Sequence, residues 1–435
     1  MKRMMALLLA VAICMGCTAC AGGPSPTDTN ATDEETVLTV VTSYGGDDGN
    51  RTNFVAAVKS YEEHSGVVVL DNSADSNEAW KTKVLTDFMT GSEPDVLFYF
   101  TNADADPFIN AGKVVSIEEI RQVYPDYATN MKESMMAVAS DGLHYAVPST
   151  GFWETMFANK TVLDACGIEV PGPDYTWEQF LADCETIKAA GYTPIACSLY
   201  EIPHYWFEFA VMNNGTPENH LEVPTLDADG NLVDDEVSRK WIAALEDMKY
   251  LYDAGYFPDN TLTATDAETA AMFGNGEAAF MIDGSWKVGY FTREYPEQLD
   301  QFVVCFVPGK GERQANDAIG GISMGYFITR KAWDDPEMRE AAVEFVFHMT
   351  SEEILSMFVT TEVTALVNGA VPTGLNTIQQ SAADAIMELD TVVGAVQDAI
   401  SGEAKRDLFA NIQKVMTGQM DAREAVESAI KLNGI

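Results

Sequence analysis

The chain of 435 residues carries 67 Asp and Glu against 26 Lys and Arg, a net charge of −41 at pH 7, with 47% hydrophobic residues. A field so acidic repels nucleic acid and anionic lipid, which excludes polyanion partners. The apolar content and length exceed one average core and predict two domains or lobes.

In chain order, Lys2 and Arg3 precede an apolar run from Met4 to Met15, and small residues then surround two cysteines. This is the pattern of a secretory signal, and the run falls short of the about 20 apolar residues that span a bilayer. Cys17-Thr18-Ala19-Cys20 resembles a bacterial lipobox, whose modified cysteine becomes a diacylated amino terminus. Cys20 is the expected site, with Cys17 the alternative, so residues 1–20 are a signal peptide with lipobox. Residues 21–36 are small, polar and acidic, and predict a disordered tether.

Folded structure is expected from Val37. The β-branched run Val37 to Thr42 ends in the turn chemistry of Tyr44 to Gly49; Phe54, Val55, Val58 and Tyr61 recur at helical spacing; Val67 to Leu70 reads as a strand. A second helix through Trp80 to Met89 and a strand at Val96 to Phe100 complete an alternation that predicts a parallel sheet with crossover helices. A second α/β region follows: a strand at Thr155 to Ala158, a helix around Trp177 to Ala190, a strand at Pro194 to Cys197, helices at Val237 to Ala254 and Ala264 to Phe273, and a strand at Ala278 to Ile282. Val303 to Val307 is expected to return toward the first region, Met324 to Thr329 to add a strand, and Ser381 to Leu432 to be helical throughout.

Beyond the signal stand Cys166, Cys184, Cys197 and Cys305, with no Cys-x-x-Cys pair and five histidines in all, so no metal site or cofactor is expected. Buried thiols are the default, and Cys184 with Cys166 or Cys197 is the disulfide to test in an exported protein. Asp227 to Asn231 suggests a calcium loop, but Leu232 and Ser238 occupy the positions where Gly and Glu belong. A hairpin turn is the reading there. No nucleophile elbow, phosphate loop, metalloprotease motif or dinucleotide fingerprint occurs, so no catalytic residue is assigned.

In open parallel sheets, ligands lie beyond the carboxyl ends of strands. The loops after Thr42, Phe100, Cys197 and Ile282 hold Asp47, Asn102, Tyr205, Trp206 and Trp286. Aromatic faces beside hydroxyl-ready polar groups suit a sugar.

Three blocks, GLHYAVPSTGFWETMFANK at Gly142 to Lys160, MFGNGEAAFMIDGSW at Met272 to Trp286 and IGGISMGYFITRK at Ile319 to Lys331, together resemble the extracellular solute-binding proteins of carbohydrate ABC importers. The resemblance implies an α/β, two-lobed periplasmic-binding-protein-like fold with hinge crossovers near Pro148 to Trp153, Val303 to Val307 and Ala365 to Pro372. Lobe 1 would comprise 37–150 and 306–366, and lobe 2 would comprise 151–305 and 367–435. It implies a monomeric, lipid-anchored receptor outside the cytoplasm, which holds a sugar or oligosaccharide between its lobes and delivers it to an ABC permease with its ATPase.

By the same resemblance, Trp286 stacks on a sugar ring and Asp283 accepts hydroxyl hydrogen bonds, while Phe152 and Trp153 enter the cleft at the first crossover. Tyr205 and Trp206 form a second aromatic contact, Asp47, Asn77 and Asn102 lie in first-lobe loops, and Gly321 lets backbone approach the ligand. Two alternatives stand beside it: a binding protein for a cationic solute such as a polyamine, whose charge acids and aromatics would cage, and a surface glycoside hydrolase.

Overall fold

The computed structural model describes residues 36–433 except 47, 102, 150, 359–364, 366 and 368–373. The signal, the lipidation cysteines and all of the tether but Thr36 lie outside the described residues. The chain lays down β1 (Val37–Val41), β2 (Val68–Asp71), β3 (Val96–Phe100) and β4 (Val147–Pro148), then β5 (Phe152–Asn159), β6 (Thr193–Ala196), β7 (Ala278–Gly284), β8 (Phe302–Cys305) and β9 (Ala318–Gly321). It finishes with β10 (Met324–Ile328) and β11 (Val392–Val393).

The first sheet runs β2-β1-β3-β10-β4, parallel at β1–β2 and β1–β3, with β10 antiparallel between β3 and β4. Its helices follow from spacing and caps. Helix Arg51–Ser65 buries Phe54, Ala57 and Tyr61 and stops at Gly66, whose φ of 75° is a left-handed cap suited to glycine. Helix Glu78–Thr90 buries Trp80, Val84 and Phe88. The first helix packs with Leu38, Val40 and Phe98, the second with Val41, Leu97 and Tyr99. Alternation along β1 and β3 therefore sends successive side chains to two helical layers.

The second sheet runs β11-β9-β5-β7-β6. β5 pairs antiparallel with β7 along one edge and with β9 and then β8 along the other. Around it, helices Trp177–Ala189, His204–Asn213 and Glu236–Asp253 build the larger core, with Trp241 and Phe207 buried edge to face. Helices Thr377–Met387, Gly402–Met416 and Ala422–Lys431 return to this same core.

Three expectations are corrected. Val303–Cys305 does not return to the first sheet; it pairs with the β5 edge that β9 leaves uncovered, where buried backbone groups need partners. Phe306, Val307, Ala315 and Ile319 lie in the second core, so residues 306–321 sit with the second sheet, and the chain crosses at Ile322 and Ser323. The tail is not helical throughout, because β11 interrupts it to pair in parallel with β9. The third crossing, expected near Ala365 to Pro372, falls almost wholly outside the described residues.

The four described cysteines are free thiols, three of them buried. Asp227 Oδ1 accepts from the N–H groups of Asp229 and Asn231 at 2.9 Å each, which makes the expected turn, with Leu226 and Leu232 paired at its base. Among the described residues, no helix is long and apolar enough to cross a membrane.

Backbones approach closely where β9 meets β5. A Cβ on Gly320 would fall 2.7 Å from the Phe152 carbonyl oxygen. Gly320→Ala should lower stability by about 1–3 kcal/mol, read as an earlier midpoint in urea unfolding.

Candidate functional site

Three rings converge where the second sheet faces the first lobe. Trp286 precedes helix Lys287–Glu294, and its ring centroid lies 6.3 Å from Phe152 on β5 and 6.3 Å from Tyr205 on helix His204–Asn213. The indole folds back over its own strand: a Cβ on Gly284 would sit 2.1 Å from it. Glycine there is what lets the ring lie down. Phe152 pairs across the sheet with Gly321, whose φ of 151° is backbone that side chains rarely adopt.

A charge network anchors this platform. Lys287 is buried and ion-paired to Asp266 at 2.6 Å, with Asp283 at 3.6 Å. Asp266 N–H donates to Glu201 at 2.8 Å, which ties in the loop before Tyr205. Burial is the chief cause that pushes Asp283 up to about 7, against the pull of Lys287. Burial also lowers the Lys287 ammonium's affinity for its proton, but Asp283 and Asp266 more than offset this, so its titration is raised.

The first lobe reaches the platform through its 45–49 loop. A Cβ on Gly49 would lie 2.4 Å from the Trp286 carbonyl oxygen, and Arg293 donates to the Asp48 carbonyl at 2.8 Å. Burial, reinforced by Asp75, pushes the Asp48 carboxyl up to about 6. A second bridge joins the lobes on the side of helix Gly402–Met416. Lys81 of the first lobe lies 3.2 Å from Asp104, which lies 3.9 Å from the buried Lys405, itself bonded to Asp398 at 2.9 Å. Lys81 also sits 4.3 Å above the Phe100 ring.

The structure thus brings together Phe152, Tyr205, Trp286 and Gly321, with Asp283 buried beside them. Trp206 points away from this group: it is 3% exposed and stacks on Phe180 at 5.7 Å within the core. Adjacent residues on a helix face different directions, which is why Tyr205 and Trp206 separate. Trp153 is 2% exposed and also belongs to the core, on the face of β5 opposite Phe152. The Asn77 side-chain oxygen accepts from Trp80 N–H at 2.9 Å and caps a helix. Asp47 and Asn102 lie outside the described residues.

Sequence reasoning missed Glu154 and Glu208. Both are buried, and burial is the chief cause that raises the titration of each, with Glu154's charge next for Glu208. The signal was present: each is a lone acid in an apolar run, FWETMFAN and HYWFEFAVMN. Lys287, Asp266 and Asp48 had no such local mark.

A family model described as "Bacterial extracellular solute-binding protein" matches residues 56–388. Among solved structures, a chitin oligosaccharide binding protein is similar with a TM-score of 0.77 at 21% identity, covering 92% of this chain and 98% of that one. The SBP RafE in complex with raffinose gives 0.72 at 17% identity, covering 92% and 98%. The maltose/maltodextrin-binding domain from Bdellovibrio bacteriovorus bound to maltotriose gives 0.68 at 19%, covering 91% and 98%. These structures share the two-lobed fold. No curated protein matches the sequence.

Asp48 supplies a test of the loop contact. Its carboxyl titrates near 3.8 when unfolded and near 6 when folded, so the folded state holds the extra proton and stability falls as pH climbs through that interval. Asparagine does not titrate. The melting temperature of Asp48→Asn minus that of the wild type should therefore grow more positive from pH 4 to pH 7 in scanning fluorimetry.

Proposed function

Because the chain belongs to the bacterial extracellular solute-binding proteins, we propose that it captures a sugar or oligosaccharide between its lobes and delivers it, enclosed, to an ABC permease with its ATPase. The observation that carries this reading is the convergence of Phe152, Tyr205 and Trp286 at the lobe junction. Pyranose rings have apolar faces and polar rims, and aromatic rings flanked by acids match both. Trp286 is the stacking platform, with Asp283 three residues before it on β7 and Gly321 at the end of β9 opposite Phe152; Asp47 and Asn102 are further contacts expected from the sequence. Similar folds hold a chitin oligosaccharide, raffinose and maltotriose.

The protein acts as a receptor without catalysis. A polyamine site would need free carboxylates, whereas Asp283 faces Lys287 and the Asp48 carboxyl is held toward its neutral form. The protein works as a monomer outside the cytoplasm, held to the membrane by a lipid on Cys20 or, in the alternative, on Cys17.

Isothermal titration with a chitin oligosaccharide, raffinose and maltotriose, and with spermidine as the cationic control, tests the solute. One sugar should bind, and Trp286→Ala should weaken it by about 10- to 100-fold, as loss of a buried aromatic contact does. Binding of spermidine alone would overturn the sugar reading. For the anchor, mass spectrometry should find the acyl group lost in Cys20→Ala and kept in Cys17→Ala.

A further inference from the structure

Beneath the aromatic platform two carboxyls meet with no cation between them. Glu154 lies two residues along β5 from Phe152, on the same face, and Glu208 lies one turn along its helix from Tyr205. Both are 2% exposed or less. Glu154 Oε2 and both Glu208 oxygens are buried with no hydrogen-bond partner among the described residues. Two ionised carboxylates offer only acceptors to each other, so this contact is a hydrogen bond only when one of them carries a proton.

We propose that Glu154 and Glu208 share a single proton, and that this bond positions Phe152 and Tyr205 against Trp286, so that the site loosens as the proton is lost. They are positioning residues, and the link to solute rests on the reading of the rings as a sugar platform. The surroundings favour the proton. Asp398 in the turn Val396–Ala399 and Asp283 on β7 face the pair with negative charge. Tyr205 stands beside it, with Asp266 acting on that phenol. Among the described residues the cation acting on Glu208 is Lys405 on helix Gly402–Met416, which is already bonded to Asp398. Burial first, and Glu154's charge next, hold Glu208 well above the ordinary carboxyl range; burial is the main cause for Glu154.

The sign follows. The folded protein keeps a proton that unfolded glutamates release above about pH 4.3, so stability declines as pH rises beyond that point toward the pair's own titration. Glu208→Gln places a permanent amide donor against Glu154 and removes the need for the proton.

The test compares wild type, Glu208→Gln and Glu154→Gln from pH 5 to pH 9, first without solute. Wild type should lose near-ultraviolet aromatic ellipticity and melting temperature with rising pH, and either amide variant should lose less of both, keeping only the decline that Asp48 and Asp283 impose on all three proteins. Wild-type-minus-variant infrared difference spectra should show a protonated carboxyl stretch near neutral pH, because the band of Asp283 is common to all three proteins and cancels. The same pH profile in all three proteins, or no such band, overturns the proposal. If one variant fails to fold, the other supplies the comparison. With the chitin oligosaccharide, raffinose and maltotriose as probes, the dissociation constant should rise about tenfold per pH unit above the pair's titration in wild type and stay flat in Glu208→Gln. If none of the three binds while the ellipticity and infrared changes hold, the sugar reading fails and the shared proton stands.

Discussion

The two lobes depend on a pair of antiparallel strands that cross together from one sheet to the other. On the first-sheet side Pro148 and Val147 face Gly325 and Tyr326; on the second-sheet side Phe152 faces Gly321. Between these pairings lie only residues 149–151 on one strand and 322–324 on the other. Such short links allow bending but resist separation. Each lobe keeps its own hydrophobic core, so a rotation about the ribbon disturbs neither. Phe152 and Gly321 sit at the ribbon's exit, which places the cluster of Phe152, Tyr205 and Trp286 beside the crossing between the two sheets.

Charge in this acidic protein is arranged around scarce cations. Lys287 and Lys405 are buried, and each is held by an acid within 2.9 Å. A buried ion pair costs desolvation, and removing one partner leaves an unpaired charge in a dry site. Glu93 and Asp95 are buried beside Lys113 and Lys331, and Asp283 beside Lys287. Glu154 and Glu208 have no such partner among the described residues, and protonation is their remedy.

Local pattern made much of the fold readable. β1, β3 and their helices follow from periodicity, from the stop at Gly66 and from the alternation of strand and helix, whereas Asn77, expected at the ligand, caps a helix instead. The assignment of Val303–Cys305 was not readable, because an apolar run says that a strand is buried without saying which sheet buries it. The same gap appears at the site. Trp286 and Phe152 stood out as aromatics at turns and crossings, whereas Trp206 and Trp153 carry the same chemistry and point into the core. Neighbouring residues on one element differ only in direction, and direction is fixed by packing from distant segments.

One such segment is β11 and the helices after it. Val392 and Val393 complete the second sheet beside β9, and Val426 and Ile430 lie in the same core as Trp153 and Phe157. That core cannot close until nearly the last turn of chain is available, however early its first strands are made. Contacts of such long sequence separation form slowly. The second core is thus completed by its latest segments, whereas β1, β2 and β3 of the first sheet pair from neighbouring stretches of chain.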